Sequence, residues 1–456
     1  MKIRKWLTAA VALLLLTAMF FGCNHATGNE EETTQAQNAG NAVTLKINGV
    51  ELSEYTVVHS KKIVERGSDT LAYFNQKVGD LYGVNLEGAT ASEDRYEIVV
   101  GPNCGDAAIA EAFQASPDGF IGVSGKKIFL LGANYGAVCQ VIDAFLAKVQ
   151  GDGTNKTITV AANESVAVRK DALKVMSYNV LQDFDKEGRA DEGETDEEKY
   201  GRFISGLQNT IREQDPDVFG TQETTSKIHD EILSKVEGYT CYKGLAHYDD
   251  TYLGNYVYYK TDKFKAVEKG HQFMSDTPNS RSKYSDSNAY RGFTYVLLES
   301  KETGNRFLFI SVHTDYRGPV DKTTGESNPT GEAATAVRTK QLKVLTAFLK
   351  KTKWVDYPAV IVGDFNDTPG KDSITSFQED NPRLGMTSKV AETKGDTGGT
   401  LVTTGFTRRD PYVFDYIFVS RDQISTLYYT VVNNIDQTSG KAPSDHLPVL
   451  AEIVLY

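Results

Sequence analysis

The chain has 456 residues, of which 40% are hydrophobic and 24% charged, with a formal net charge of −12. A single hydrophobic core rarely serves more than about 250–300 residues, so the length predicts at least two domains of ordinary globular composition. The excess of acidic residues argues against a long nucleic acid as the habitual partner, because a protein that binds one needs Lys and Arg along the contact face. A local basic groove remains an alternative.

The first 22 residues have the pattern of a targeting segment. Three basic residues precede the apolar run Trp6–Phe21, which is typical of a signal peptide rather than a transmembrane span. The following Gly-Cys pair resembles a bacterial lipoprotein cleavage site, which implies a lipidated Cys23 and a membrane-anchored protein of the cell envelope. Phe20 stands where such sites usually have Leu, so ordinary secretion and an uncleaved anchor remain alternatives.

Residues 23–43 are rich in Glu, Thr, Gln, Asn and Gly and predict a flexible tether, because such a segment cannot bury enough apolar surface to fold. The remaining cysteines, Cys104, Cys139 and Cys241, show no paired spacing. Export would permit disulfides, but this spacing favours isolated thiols, with a Cys104–Cys139 bridge as the alternative.

Residues 44–168 predict a small α/β domain. Its expected elements are a strand at 96–101, a helix at 106–113, a hairpin over 120–132 and an amphipathic helix at 135–149. An earlier helix places Leu71, Phe74, Val78 and Leu81 on one face. This layout is similar to the accessory domain that precedes the catalytic barrel in hexosaminidase and glucuronidase families. It contains no acid pair or metal cluster, so a non-catalytic spacer is predicted, with glycan contact as the alternative.

From residue 171 to residue 456, short apolar strands alternate with longer helices. One helix stripe comprises Tyr200, Phe203, Ile204, Leu207 and Ile211, and another comprises Leu342, Leu345, Phe348 and Leu349. This pattern suits two packed sheets with helices outside. Two polar loops, 275–290 and 316–332, are predicted to line a cleft.

Five polar segments follow apolar, β-branched runs, so their polar residues should lie at strand ends. The segments are Ser177–Val180, Thr221–Thr224, Ser311–Asp315, Gly363–Asp367 and Ala442–Val449. Oxygen donors there (Asn179, Glu223 and Asp445) suit Mg²⁺, Mn²⁺ or Ca²⁺.

Other residues of these segments have the types that acid–base chemistry needs. Asp364 and Asn366 are two apart, so an extended strand would point both to one face, where they could hold a water molecule. Asp415 could orient the ring of His446, and His313 could donate to a phosphoryl oxygen.

The five segments, in this order and with Phe414-Asp415-Tyr416 between the last two, resemble the endonuclease/exonuclease/phosphatase superfamily of DNase I-like metal-dependent phosphoester hydrolases. The resemblance covers residues 171–456 and implies an α/β fold, a four-layer α-β-β-α sandwich, with Mg²⁺ or Mn²⁺ as cofactor. It implies metal binding by Asn179, Glu223 and Asp445, and catalysis by Asp364, Asn366, His446, His313 and Asp415. Whether Asp364 or His446 is the base stays open. Relatives often have a second His where this chain has Tyr316, which leaves the subfamily open.

The expected activity is hydrolysis of a phosphodiester or phosphomonoester, with a small or lipid substrate favoured. The catalytic half shows no stretch that interleaves many Lys or Arg with aromatic residues, so no stable nucleic-acid partner is expected. Tyrosines that could contact a compact substrate are Tyr252, Tyr256, Tyr258, Tyr259, Tyr284, Tyr290 and Tyr316. An extracellular nuclease and a non-catalytic surface binding protein on the same scaffold are the alternatives.

Overall fold

The computed structural model describes residues 43–59, 67–101, 104–115, 118–181, 195–245, 254–318, 328–329, 331–402, 408–435 and 441–455. The predicted signal peptide, Cys23 and all of the tether except Val43 lie outside these residues, as does Tyr252. Within the described part of the chain, no helix combines the length and the apolar character needed to cross a membrane.

The N-terminal part contains two sheets. Its strands are β1 (Thr44–Ile47), β2 (Val50–Glu51), β3 (Thr56–His59), β4 (Gly88–Ala89), β5 (Glu97–Gly101), β6 (Gly119–Ser124), β7 (Lys127–Gly132), β8 (Asn155–Ile158) and β9 (Glu164–Ser165). Its helices are α1 (Gly67–Tyr82), α2 (Ala107–Gln114) and α3 (Tyr135–Leu146), and Leu52–Glu54 form a short 3-10 turn. The strand orders are β2-β1-β8 and β4-β3-β5-β7-β6-β9.

Local chemistry explains why these elements form where the sequence predicted them. The Asp106 side chain accepts the backbone N–H groups of Ala108 and Ile109 and so caps α2, and Asn134 caps α3 in the same way. Gly125 has a φ of +55° in the two-residue turn that joins β6 to β7. The helix-face prediction for Leu81 is wrong, because this residue is 57% exposed whereas Phe74 and Val78 are fully buried. Cys104, Cys139 and Cys241 are free thiols.

The C-terminal part contains the two larger sheets. Its strands are β10 (Asp171–Asn179), β11 (Val218–Gln222), β12 (Tyr239–Leu245), β13 (Asn255–Lys260), β14 (Phe264–Phe273), β15 (Gly292–Ser300), β16 (Arg306–His313), β17 (Ala359–Asp364), β18 (Leu384–Met386), β19 (Thr393–Lys394), β20 (Asp415–Ser420), β21 (Ile424–Val431) and β22 (Val449–Leu455). Its helices are α4 (Asp196–Gln214), α5 (Ser226–Lys235), α6 (Glu332–Leu349), α7 (Asp372–Asp380) and α8 (Thr387–Val390). The strand orders are β12-β13-β11-β10-β22-β21-β19 and β14-β15-β16-β17-β20-β18.

Three apolar clusters show how these elements are layered. One joins the inner faces of the two sheets, including Val175, Val257, Phe309 and Val362. A second joins α6 and α7 to the outer face of the six-stranded sheet, and a third joins α4 and α5 to the outer face of the seven-stranded sheet. The α/β fold and the four-layer α-β-β-α arrangement are therefore confirmed. Both predicted helix stripes lie in these clusters, with Tyr200 and Leu349 partly buried at their edges.

The register of the strands brings the polar segments to one edge of the sandwich. In one sheet Asn179 of β10 lies beside Gln222 of β11, which run parallel. In the other sheet Asp364 lies between His313 and Asp415. The sheets approach closely below this edge, since the Ser311 hydroxyl donates to the Thr221 carbonyl oxygen at 3.0 Å.

The opposite edge of the sandwich contacts the N-terminal part. Within the C-terminal part, the Asp171 carboxylate of β10 fixes the β15–β16 turn at this edge by accepting hydrogen bonds from Ser300, Thr303 and Asn305. A Cβ atom on Gly136 of α3 would lie 2.6 Å from the backbone nitrogen of Asn305, so only glycine permits this approach. The two ends of the eight-residue strand β16 lie about 23 Å apart, so this contact is remote from His313. The predicted domain boundary between residues 168 and 171 stays a prediction.

Candidate active site

Asn179 links the two sheets at the polar edge. Its side chain is buried, and its Nδ2 donates to Asp364 Oδ2 at 3.0 Å and to Glu223 Oε1 at 3.2 Å. Its Oδ1 accepts the backbone N–H of Leu181 at 3.1 Å. The assignment of amide oxygen and nitrogen follows from this network. Three residues that are far apart in sequence therefore meet at one point.

Asp415 and His446 form a hydrogen-bonded pair. His446 Nδ1 lies 2.7 Å from Asp415 Oδ2, and its Nε2 lies 3.8 Å from Asp364 Oδ2. Burial alone would lower the pKa of His446, but the carboxylates of Asp415 and Asp364 outweigh it and hold that pKa well above its usual range. This environment favours the protonated ring, in which Nδ1 donates to Asp415 and Nε2 faces Asp364 beyond hydrogen-bond distance.

His313 is held in the opposite charge state. It is buried, and burial together with the positive charges of Arg291 and His446 holds its pKa well below the usual range. Arg291 Nη1 lies 3.4 Å from His313 Nδ1. A guanidinium has no acceptor, so Nδ1 must carry the lone pair and Nε2 the proton. That Nε2–H lies 3.5 Å from Asp364 Oδ2 and has no hydrogen-bond partner among the described residues.

Asp364 occupies the centre of the group. Burial, with a further contribution from the charge of Asp415, raises its pKa to about 7, against the lowering effect of His446. Its Oδ1 accepts the backbone N–H of Asn366 at 2.8 Å. Asn366 Nδ2 donates to the Thr314 carbonyl oxygen at 3.1 Å, so this side chain fixes the loop after β17 in place. The prediction that an extended strand points both side chains to one face is wrong, because β17 ends at Asp364 and Asn366 has a φ of +51°. The proposed role of Asn366 in holding water stays a prediction.

Backbone strain is concentrated at this edge. Leu181, Glu223 and Asn366 have φ angles of +56°, +61° and +51°, and they follow the ends of β10, β11 and β17. Such left-handed conformations cost non-glycine residues about 1–3 kcal/mol each. The surrounding hydrogen bonds must hold these conformations, which turn the chain sharply at the strand ends.

The charges of the site suit a divalent cation. The site contains four carboxyl groups, those of Glu223, Asp364, Asp415 and Asp445. Only two cationic side chains, Arg291 and His446, lie beside them, since His313 is neutral. Burial raises the pKa of Glu223, and repulsion by Asp445 raises it further. Two carboxylates that repel each other while facing a buried amide are the oxygen donors that Mg²⁺ or Mn²⁺ binds. For Asn179 to bind such a cation, its Oδ1 would have to face the cation. In this structure Oδ1 accepts the backbone N–H of Leu181 instead.

A second group of donors overlaps the Asp415–His446 pair. Among the described residues, Asp364, Asp415 and His446 offer ligand atoms that all lie within 4.8 Å of one another. His446 Nδ1 is already bonded to Asp415. This group is therefore better suited to proton chemistry than to holding a metal by itself.

Sequence reasoning missed two positioning residues. Ser444 Oγ donates to the Asn179 carbonyl oxygen at 2.7 Å and accepts the His446 backbone N–H at 3.2 Å, so it joins β10 to the segment that carries His446. Arg291 is 1% exposed although it precedes β15 as an apparently ordinary loop residue. A signal for Ser444 was its place directly before Asp445-His446; no local pattern marked Arg291.

The predicted tyrosine contacts divide into two groups. Tyr256 and Tyr258 are fully buried and Tyr259 is 7% exposed, so their proposed contact with substrate is wrong and they pack in the core. Tyr284, Tyr290 and Tyr316 are partly exposed. The loop over residues 275–290 is held by Asp315, whose Oδ2 accepts the Ser287 hydroxyl and the Ala289 N–H. Residues 319–327 and 330 of the second loop lie outside the described residues.

Comparison with known proteins agrees with this arrangement. The model of the Endonuclease/Exonuclease/phosphatase family matches residues 176–446, more than half of the chain. A solved family protein from Bacteroides thetaiotaomicron is 24% identical with a TM-score of 0.51, and the match covers 63% of this chain and 99% of that one. A family protein from Bacteroides vulgatus is 19% identical with a TM-score of 0.51, covering 63% of this chain and 100% of that one. No curated protein matches the sequence significantly.

Proposed function

Because the chain belongs to the endonuclease/exonuclease/phosphatase family, whose members hydrolyse phosphoester bonds, we propose that it is a Mg²⁺- or Mn²⁺-dependent enzyme that cleaves a small or lipid phosphoester. The observation that carries this proposal is the convergence of Asp364, His313 and the Asp415–His446 pair beside Asn179 and Glu223.

The charge states assign roles within this group. The two carboxylates beside His446 favour its protonated form, which supports Asp364, with a pKa of about 7, as the base that takes a proton from water. The attacking oxygen forms a bond to phosphorus, the ester P–O bond breaks, and the leaving oxygen departs with the electron pair of that bond and takes a proton from solvent. His446 Nε2 lies near enough to Asp364 for both to contact the same reacting group. His446 and the neutral His313 donate to phosphoryl oxygens as their negative charge grows.

A divalent cation fits the site through Asn179, Glu223 and Asp445. When bound, it would supply positive charge to the phosphoryl group and the leaving oxygen. Ser444 fixes Asn179 and His446 in position, and Asn366 donates its backbone N–H to Asp364; the proposed role of the Asn366 side chain is to hold the attacking water.

Metal dependence is tested with purified protein and a generic substrate such as bis(4-nitrophenyl) phosphate. Activity should disappear in EDTA and return with Mg²⁺ or Mn²⁺. Binding of Mn²⁺ by calorimetry should weaken at least about tenfold in Glu223→Gln, because one anionic ligand is lost. Full activity in the chelator would refute the proposed metal dependence.

The substrate class is tested by comparing kcat/KM on duplex DNA, RNA, a sphingomyelin-like lipid and sugar or inositol phosphates at physiological salt. The acidic composition supports a small or lipid phosphoester, because a non-specific nuclease needs several phosphate contacts. Duplex DNA proving the best substrate by tenfold or more would place the nuclease alternative first. Failure to turn over any of these substrates would support a non-catalytic binding protein.

The remaining proposals concern location and the N-terminal part. The apolar leader and Cys23 support an exported lipoprotein of a bacterial cell envelope, which metabolic labelling with a palmitate analogue and a Cys23→Ala control would test. Residues 44–168 are proposed to be a non-catalytic accessory domain. Glycan contact by that domain stays a prediction, to be tested by binding to a glycan array.

A further inference from the structure

A cavity of about 780 Å³ lies on one face of the six-stranded sheet in the N-terminal part. Its floor is apolar and comes from matching positions of three neighbouring strands, Val58 of β3, Val99 of β5 and Phe129 of β7. Helices α1 and α3 pack on the opposite face of this sheet, whereas α2 packs on the cavity side through Ile109 and covers only part of it. Over the residues that the structure describes, the rest of this floor is uncovered.

The walls of the cavity are polar. Ser92 and Glu93, which follow β4, form one wall, and residues 124–127, in the turn from β6 to β7, form another. Residues 104–106, before α2, close a third side. An apolar floor with a few polar groups around it is the usual form of a small-molecule site, and this volume is within the usual range.

A buried carboxylate holds two of these walls in place. Glu97 of β5 is fully buried, and its Oε1 accepts the backbone N–H of Ser92 at 2.6 Å. Its Oε2 lies 3.1 Å from Lys127 Nζ, outside hydrogen-bond geometry. Because Ser92 and Lys127 both line the cavity, the Glu97 carboxylate lies beneath the end of the cavity that these two residues border.

Two polar atoms at this end of the cavity, Thr56 Oγ1 and Glu97 Oε2, are buried without a hydrogen-bond partner among the described residues. Thr56 pairs in register with Glu97, and Glu97 pairs with Lys127, so the three side chains point to the face that carries the cavity. Unsatisfied buried groups cost stability and are few in folded proteins. Ligand hydroxyl groups suit both atoms, because a hydroxyl donates to a carboxylate and accepts from a threonine.

The charges that line the cavity sum to zero. Glu93 and Asp106 are matched by Lys126 and Lys127. The Asp106 carboxylate already accepts two backbone N–H groups of α2, so it is not available to attract a cation. An uncharged ligand therefore fits better than an ion. A sugar ring has the required chemistry, since it carries hydroxyl groups at its edge and C–H groups on its faces, which can pack on an apolar floor.

We propose that this cavity binds an uncharged sugar of one or two rings, with ligand hydroxyl groups at Thr56 and Glu97 and a ring face on Val99 and Phe129. The inference builds on the glycan contact predicted for the N-terminal part, to which it gives a place and a ligand chemistry. It is independent of phosphoester hydrolysis, so the two proposals can fail separately.

The test blocks the cavity without straining the backbone. Gly105 lines the cavity, its φ is not in the left-handed region, and a Cβ atom there would meet no atom within 4 Å. Gly105→Trp therefore adds a large ring at the cavity. Gly201→Trp is the matched control, because Gly201 has the same freedom but lies exposed on α4, in the C-terminal part.

Binding to the full chain is measured by saturation-transfer NMR and calorimetry. The probes are glucose, galactose, mannose, N-acetylglucosamine and their disaccharides, with glucosamine and glucuronic acid as charged comparisons. At least one uncharged sugar should bind the unaltered protein and Gly201→Trp, and Gly105→Trp should bind it at least about tenfold more weakly. Hydrolysis of bis(4-nitrophenyl) phosphate should be the same in all three proteins.

A second variant, Thr56→Val, tests the unsatisfied atoms. It keeps the shape of the side chain and removes a hydroxyl that has no partner among the described residues. The Tm without sugar should therefore rise, while the affinity for the sugar falls about fivefold.

Three results would overturn the inference: no binding of any uncharged sugar, tighter binding of a charged sugar, or undiminished affinity in Gly105→Trp or Thr56→Val. In each case hydrolysis of the diester would still support the proposed function. Sugar binding without diester hydrolysis would support the inference and count against the proposed function alone.

Discussion

Two buried polar clusters lie side by side at the ends of β16 and β17, and they differ in how their charges are compensated. In the paired cluster, Arg338 donates to the Asp315 carbonyl oxygen at 2.6 Å and lies 3.3 Å from Asp367. Asp315 accepts four donors. In the crowded cluster, Asp364 lies close to Asp415, His446 and His313, with Asp415 Oδ1 and His313 Nε2 lacking partners among the described residues.

The difference separates residues that hold the fold from residues that we propose take part in catalysis. Where a buried carboxylate accepts several donors its charge is satisfied, and the pKa of Asp315 is lowered because Arg291 and its hydrogen-bond donors outweigh the cost of burial. Where carboxylates crowd together, burial and repulsion raise the pKa of Asp364 to about 7. The crowded cluster keeps donors and acceptors available for a substrate, at a cost in stability.

The largest expected effect is on the crowded cluster. His446→Ala should lower kcat by about 10²–10⁴-fold, because it removes the cation that stabilises charge on the phosphoryl group. Asp415→Asn should act in the same direction, since it leaves the ring without its anionic partner. Hydrolysis of bis(4-nitrophenyl) phosphate measures both. A His446→Ala enzyme near the activity of the unaltered protein, with an unchanged circular dichroism spectrum, would mean that the pair is structural.

The paired cluster should respond in stability instead. Arg338→Met breaks a buried ion pair and removes donors from three backbone carbonyl oxygens. Breaking such a pair costs about 3–5 kcal/mol of unfolding free energy, because Asp367 is left without its cation. Urea denaturation followed by circular dichroism would measure the loss. Lys350→Met, a cation at the exposed end of α6, serves as the control. A midpoint unchanged by Arg338→Met would contradict the structural role.

The pH dependence of stability sharpens the comparison. In metal-free protein, folded Asp364 keeps its proton up to about pH 7, whereas an unfolded aspartate releases it near pH 4. Folding therefore weakens as pH rises through this interval. Asp364→Asn removes that penalty, so its gain in Tm over the unaltered protein should be larger at pH 8 than at pH 5. Thermal unfolding in EDTA provides the measurement.

Asp315→Asn is the matched comparison, because folding shifts the pKa of Asp315 in the direction opposite to that of Asp364. The pKa of the Asp315 carboxyl is lowered by folding, so its stabilising contribution is complete above about pH 4 and is lost only as pH falls further. Its deficit in Tm should be the same at pH 5 and pH 8. If both variants showed the same pH dependence, the contrast between the two clusters would not hold.

The smallest effect is expected from removing the N-terminal part. A chain that begins at Asp171 should retain kcat/KM for a small substrate within about twofold, because α3 contacts the β15–β16 turn about 23 Å from His313. Arg169 also contacts Glu302 across this interface, so removing the N-terminal part could lower the fraction of folded protein. The rate should therefore be measured per folded molecule. Loss of turnover in a chain that remains folded would show that the N-terminal part completes the site.

The sequence predicted what depends on local pattern and missed what depends on distant contacts. Polar residues after β-branched runs correctly indicated the strand ends that carry Asn179, His313 and Asp364. Ser444 contacts Asn179 across 265 positions of the chain, and no spacing rule predicts such a contact. The sequence also did not reveal that Tyr256 and Arg291 are buried. Both residue types are common on protein surfaces, and here elements distant in sequence enclose them.

The pairing of β10 with β22 sets the order in which this enzyme can be made. Asp171 lies opposite Leu455 and Ser177 opposite Val449, so the strand that carries Asn179 has only β11 as a neighbour until β22 has left the ribosome. The seven-stranded sheet is incomplete before then, and Asp445 and His446 come just before the same strand. Contacts this distant in sequence also make folding slow. The nascent chain is therefore expected to stay open, and without hydrolytic activity, until its synthesis has passed Leu455.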